Sequence, residues 1–222
     1  MDPIEIEPLP DLPSRLDRVR QVAIDLQRVP DVWLAPLGSQ ISGVEWFILG
    51  AIKRTSSNAE GFCQLVEAKN TLAAAALLRL QLDTAMRVHG LDLTPSAEDA
   101  GELLWQKGLR YDRLQAKNGT KLKDVHLHDS LSKEYPWVSA VYQEASDYIH
   151  LSGEHMRGAI TSEVNGMLFF RLDAKDGTRP DNFYFHLVDT FYMVADLTSK
   201  LIRKFAEDHP GPDVRKHGWR DR

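Results

Sequence analysis

A single cysteine, Cys63, among 222 residues excludes an intrachain disulfide and any multi-cysteine metal site, and its place in a helical pattern makes it a packed, inert thiol. No apolar run reaches the length of a membrane span. There is no surplus of basic residues either, because the net charge of −5 leaves no global footprint for nucleic acid. A glycine-rich phosphate loop, a nucleophile elbow and an HExxH motif are also missing. The amino end, MDPIEIEPLPDLP, lacks the basic-then-apolar pattern of a signal segment, so the expected location is the cytoplasm. Its prolines at 3, 8, 10 and 13 prevent a regular helix and predict an extended arm over residues 1–12. A single helical-bundle domain is expected over 13–208, followed by a mobile polar tail over 209–222.

The organising stretch is NTLAAAALLRLQLDTAMRVHG, Asn70 to Gly90. Asn70 is a natural N-cap, the alanines and leucines are strong helix formers, and Gly90 is the expected C-cap. Leucines fall on several faces, so this helix is predicted to sit at the centre of a bundle. Arg79, Asp83 and Arg87 follow at i, i+4, i+8 and place alternating charges on one face. Buried charges need partners, so this face is either an internal ion-pair ladder or the wall of a pocket.

Around that helix the pattern predicts an amphipathic helix capped by Ser14 and broken near Pro30. A long helix from Gly43 to Lys69 follows, in which the polar KRTSSNAEG stretch should kink or lie exposed. Ser96 and Asp99 start another helix, which ends at Gly108 or runs on toward Leu114, and Asn118-Gly119 is a turn. A short helix is expected from Lys123 to Tyr135, and another opens at Pro136 as its first residue and ends at Ser152-Gly153. The alternation around Asn165-Gly166 predicts one β-hairpin near residues 157–173, the only β element expected. A long amphipathic helix then runs to Pro210. The fold class is therefore all-α, a helical bundle with one small hairpin.

Tyr142, Ser146 and His150 form a second i, i+4, i+8 line, with Ser152 and His155 just beyond. If this line meets the Arg79-Asp83-Arg87 face, an Asp83–His150 hydrogen bond orients the imidazole for general acid–base work. Otherwise His150 ties a helix end to a buried polar network. Lys107, Arg110, Arg113, Lys117, Lys121 and Lys123 lie among Trp105 and Tyr111, but Glu102, Asp112 and Asp124 dilute them into a solvated mixed-charge face. Asp124, His126, His128 and Asp129 cluster in DVHLHD. His-x-His spacing suits a strand rather than a helix, so neither a metal nor a cofactor is expected.

The succession LLRLQLDTAMR, KNGTKLKD and WVSAVYQEASDYIHLSGEHM, then a hairpin and a final long helix, resembles an uncharacterised group of bacterial HEPN-like helical proteins over roughly residues 40–208. The resemblance implies a bundle of four or five helices that forms a homodimer and acts on RNA without a metal, as a toxin or phage-defence effector. The alternative is a non-catalytic bundle that dimerises or binds a protein partner, through the amino-terminal arm or the basic tail with Arg215, Lys216, His217, Arg220 and Arg222. Nucleases of this kind use an Arg, four to six intervening residues and a His. Upstream of His150 the matching positions hold Gln143, Glu144 and Ala145. Arg179 and His186 do have the spacing, at the start of the last helix. The candidate catalytic sets are thus His150, Arg79 and Asp83, or alternatively Arg179 and His186, with Tyr142, Ser146, Ser152, His155 and Arg87 as a polar network.

Overall fold

The computed structural model describes residues 7–34, 40–150, 153, 156, 159–176 and 179–209. Eight helices are delimited among them: α1 (Leu12–Leu26), α2 (Pro30–Trp33), α3 (Gly43–Glu67), α4 (Thr71–Leu93), α5 (Ala97–Trp105), α6 (Asp124–Glu134), α7 (Trp137–Asp147) and α8 (Asp181–Asp208). Strands β1 (Ile160–Val164) and β2 (Met167–Phe170) form an antiparallel hairpin. The protein is all-α with one small hairpin, and among the described residues no helix is long and apolar enough to cross a membrane.

Helix α4 is the hub, packing against α3, α5, α6, α7 and α8, while α1 and α3 close the far side of α8. Asn70 caps it by accepting from the Ala73 amide at 3.2 Å. It does not stop at Gly90. The helix continues to Leu93 and ends before Pro95, with the Thr94 hydroxyl donating to the Leu91 carbonyl at 2.6 Å. Gly90 serves packing instead: a Cβ there would lie 2.4 Å from the Tyr111 hydroxyl and 2.6 Å from Leu127.

Four other features differ from expectation. Asp11 rather than Ser14 caps α1, because its carboxylate reaches the Ser14 amide at 2.8 Å while Pro13 has no N–H to offer. Helix α3 runs unbroken through its polar middle, since Thr55 and Asn58 are buried and bonded across to Gln81 of α4. Helix α7 ends at Asp147, earlier than Ser152, with Pro136 at its cap position. Helix α5 stops at Trp105, followed by a single 3₁₀ turn at Tyr111–Arg113 and an isolated bridge between Gln115 and Lys121 around the Asn118-Gly119 turn.

Two clamps hold the bundle's sides. Helices α3 and α5 cross with backbones almost touching, because Gly43 and Gly101 face each other; a Cβ on Gly101 would lie 2.2 Å from the Val44 nitrogen. Glu102 accepts from the Gly43 amide at 2.7 Å, and a Ser42–Glu45 capping box completes that end of α3. On the opposite side Asp189 of α8 pairs with both Arg15 and Arg18 of α1. Arg18 also donates to the Glu7 carbonyl at 2.9 Å, which ties the described part of the amino-terminal arm down onto α1. The arm's first six residues and the tail beyond His209 lie outside the described residues.

Candidate functional site

Arg79, Asp83 and Arg87 lie on one face of α4, one turn apart, as their spacing requires. Arg79 and Asp83 are each only 8% exposed, so their charges must be compensated locally. Arg54 of α3 donates to Asp83 at 3.0 Å, and the Arg87 Nε donates to both Asp83 oxygens at 3.0 and 2.9 Å. Arg87 continues through Nη2 to Asp124 of α6 at 3.2 Å, and Arg79 approaches the other Asp124 oxygen at 3.6 Å. Aromatic faces complete the enclosure: the Arg79 guanidinium lies 4.5 Å from the Tyr142 ring centre and that of Arg87 lies 4.9 Å from Tyr111. The Tyr111 hydroxyl donates to the Arg87 carbonyl at 2.6 Å, and burial pushes its pKa well above that of a free phenol. Five charged groups from three helices therefore form one continuous chain, Arg54–Asp83–Arg87–Asp124–Arg79. At Arg87 and Asp124 this chain borders a cleft of about 540 Å³ lined also by Arg110, Asp112 and Lys123.

The second line only partly meets this face. Tyr142 does so, under Arg79. Ser146 turns its hydroxyl back to the Tyr142 carbonyl at 2.6 Å and is satisfied within α7. His150 is exposed past the end of α7, and the expected Asp83–His150 hydrogen bond does not form; Asp83 pairs with Arg54 and Arg87 instead. Ser152 and His155 lie outside the described residues. Asp124 belongs to the arginines, and His128 sits between Asp129 at 2.9 Å and the Tyr142 ring. Among the described residues no three metal-ligating side chains converge.

Arg179 and His186 each contact a different partner at the start of α8. The Arg179 guanidinium lies 5.0 Å from the Phe183 ring centre, and His186 Nε2 lies 3.7 Å from a Glu144 oxygen of α7. At that length the contact is an ion pair rather than a hydrogen bond. The Glu144 carboxylate raises the His186 pKa above its ordinary value of 6.5, and His186 lowers that of Glu144 in return. The two flank a small cavity of about 30 Å³, room for a single water, with Tyr148 and Thr190 also on its wall.

Three participants went unrecognised in the sequence. Arg54 stands in a polar stretch that gives no sign of facing Asp83, and Glu144 occupies a position where the nuclease pattern needs an arginine. Gln81, fully buried on the side of α4 away from the charged face, joins Asn58, Thr55 and Thr198 by hydrogen bonds of 3.1, 3.1 and 2.9 Å. Its position between two leucines was the available signal, since a glutamine on a helix buried nearly all round must find polar partners. No protein-family model matches the chain, nor does any curated protein or any solved structure.

Proposed function

We propose that the chain is a HEPN-like helical bundle that works by binding, to a second copy or another protein, and that its Arg79–Asp83–Arg87 face is structural. One observation carries this reading: each carboxylate of the face is bracketed by two guanidiniums, so none is left to orient an imidazole or take a proton. An arginine stays charged across the working pH range and does not itself shuttle protons. Such a chain of alternating charge fixes the register of α3, α4 and α6 against one another.

A second reading, metal-independent action on RNA as a toxin or phage-defence effector, has its own support. His186 is accessible and sits beside a carboxylate that favours its protonated form, and Arg179 lies over the ring of Phe183, three residues before His186 in the chain. In that reading His186 transfers the proton at a ribose hydroxyl and Arg179 meets the phosphate. Incubating the protein with total RNA, with and without EDTA, separates the two. The first reading expects intact RNA from wild type. Cleavage abolished in Arg79→Ala and His150→Ala overturns it in favour of the charged face, whereas cleavage abolished only in Arg179→Ala or His186→Ala supports the second reading.

A further inference from the structure

Gly50 has no reason within the fold to be a glycine. At Gly43, Gly90 and Gly101 a Cβ would meet a neighbour at 2.5, 2.4 and 2.2 Å, whereas a Cβ on Gly50 would have no atom within 4 Å. Gly50 lies inside α3, where alanine is the better helix former, so the missing side chain weakens the helix and leaves space beside it. That space is a recess of about 220 Å³, lined by Phe47, Gly50, Ala51 and Arg54 of α3 and by Thr84 and Arg87 of α4. The Thr84 hydroxyl is turned back to the Leu80 carbonyl at 3.0 Å, so the polar groups left to the recess are two guanidiniums.

Arg87 also borders the cleft of about 540 Å³ described above, and Phe47 of the recess stacks on Tyr111 of the cleft at 5.7 Å between ring centres, so the two hollows adjoin. Across and beneath them Arg54, Arg79, Arg87, Arg110 and Lys123 stand against Asp83, Asp112 and Asp124, a local positive surplus in a chain of net charge −5. All three carboxylates are already paired with arginines, so the charge left to attract a ligand is positive.

We infer that these adjoining hollows dock a short acidic segment of another protein, with an apolar side chain entering the recess at Gly50 and a carboxylate meeting Arg87, Arg110 and Lys123. This deepens the binding reading proposed above and rests on it. Such a segment supplies both an apolar group for the recess and negative charge for its border. A nucleic acid is the poorer match, because its phosphates would pass Asp112 and Asp124 and its backbone has no apolar group for the recess.

Selection of a phage-displayed library of random peptides on the full chain tests this. Enriched sequences are expected to combine Asp or Glu with Leu, Ile or Phe, and a fluorescein-labelled synthetic copy should bind in an anisotropy titration that weakens as salt is raised. Gly50→Leu, which fills the recess, and Arg110→Glu/Lys123→Glu, which reverses the exposed charges, should each weaken binding by at least about tenfold. Gly50→Leu should keep the wild-type circular dichroism, since a side chain there meets nothing of the fold; if it does not, the exposed pair decides alone. No enrichment, enriched peptides without acidic residues, or binding that survives either folded variant overturns the inference. An oligouridylate that binds more tightly than the peptide and is lost in the same variants also overturns it. Failed peptide capture leaves the binding reading open for another surface, whereas RNA cleavage dependent on Arg79 would remove that reading whatever the peptides do.

Discussion

Gln81 shows at the scale of one residue how this core is specified. Both amide hydrogens and the carbonyl of its side chain are bonded to groups on α3 and α8, with no exposure to water. Gln81→Leu keeps the volume but takes their partner from the Asn58 amide and the Thr55 hydroxyl, while Thr198 keeps its bond to the Val194 carbonyl, and should cost about 2–4 kcal/mol in urea unfolding, at up to ~1–3 kcal/mol per unsatisfied group. Cys63 is the converse case. Burial pushes its thiol up to about 12, so Ellman's reagent should find no reactive thiol in the native protein and one per chain after unfolding. The histidines divide. Burial of His89 lowers its pKa below 6.5, so its contribution to stability is present above that value and lost as pH falls through the lowered one. His186 is raised by Glu144, so its contribution is full below 6.5 and lost as pH rises through the raised value; it is small because the pair is mostly exposed. An NMR titration should place the His89 midpoint below 6.5 and that of His186 above it, with His186 moving back toward 6.5 in Glu144→Gln.

Between elements, the closest approach decides what substitution is tolerated. Gly101 faces the backbone of α3 with no room for a methyl group, and the contact is with main-chain atoms that cannot rotate away. Gly101→Ala should therefore separate α3 from α5 and lower stability by about 2–3 kcal/mol, the upper part of the range for an overpacked core. Gly61, where a Cβ would lie 3.3 Å from a single flexible leucine methyl, is the control: Gly61→Ala should be neutral or stabilising, because alanine is the better helix former. Chemical denaturation of both variants distinguishes a steric limit at one crossing from a general intolerance of α3 and α5 to substitution.

For the whole molecule, the apolar inventory is divided between a closed core and an open hairpin. Helices α1, α3, α4 and α8 supply most of the buried core, with Phe62 of α3 stacked on Phe191 of α8 at 4.0 Å between ring centres. The hairpin buries none of its own.

The sequence by itself determined the elements: their periodicity, caps and turn residues are local properties, so α4, α5, the Asn-Gly turn and the final helix could be read from neighbours in the chain. It also determined that Arg79, Asp83 and Arg87 share a face, because helical geometry alone places residues four apart together. Tertiary structure decided the partners. Arg54 is 29 residues from Asp83, and nothing in its own stretch marks it. His150 had the right spacing for that face but α7 ends before it, whereas Glu144, a residue without a motif, is the one that reaches His186. Gly90 likewise had the composition of a helix stop, and the approach of Tyr111 and Leu127 gave it a different purpose. Electrostatic pairing and close packing depend on distances across the bundle, which chain order does not encode.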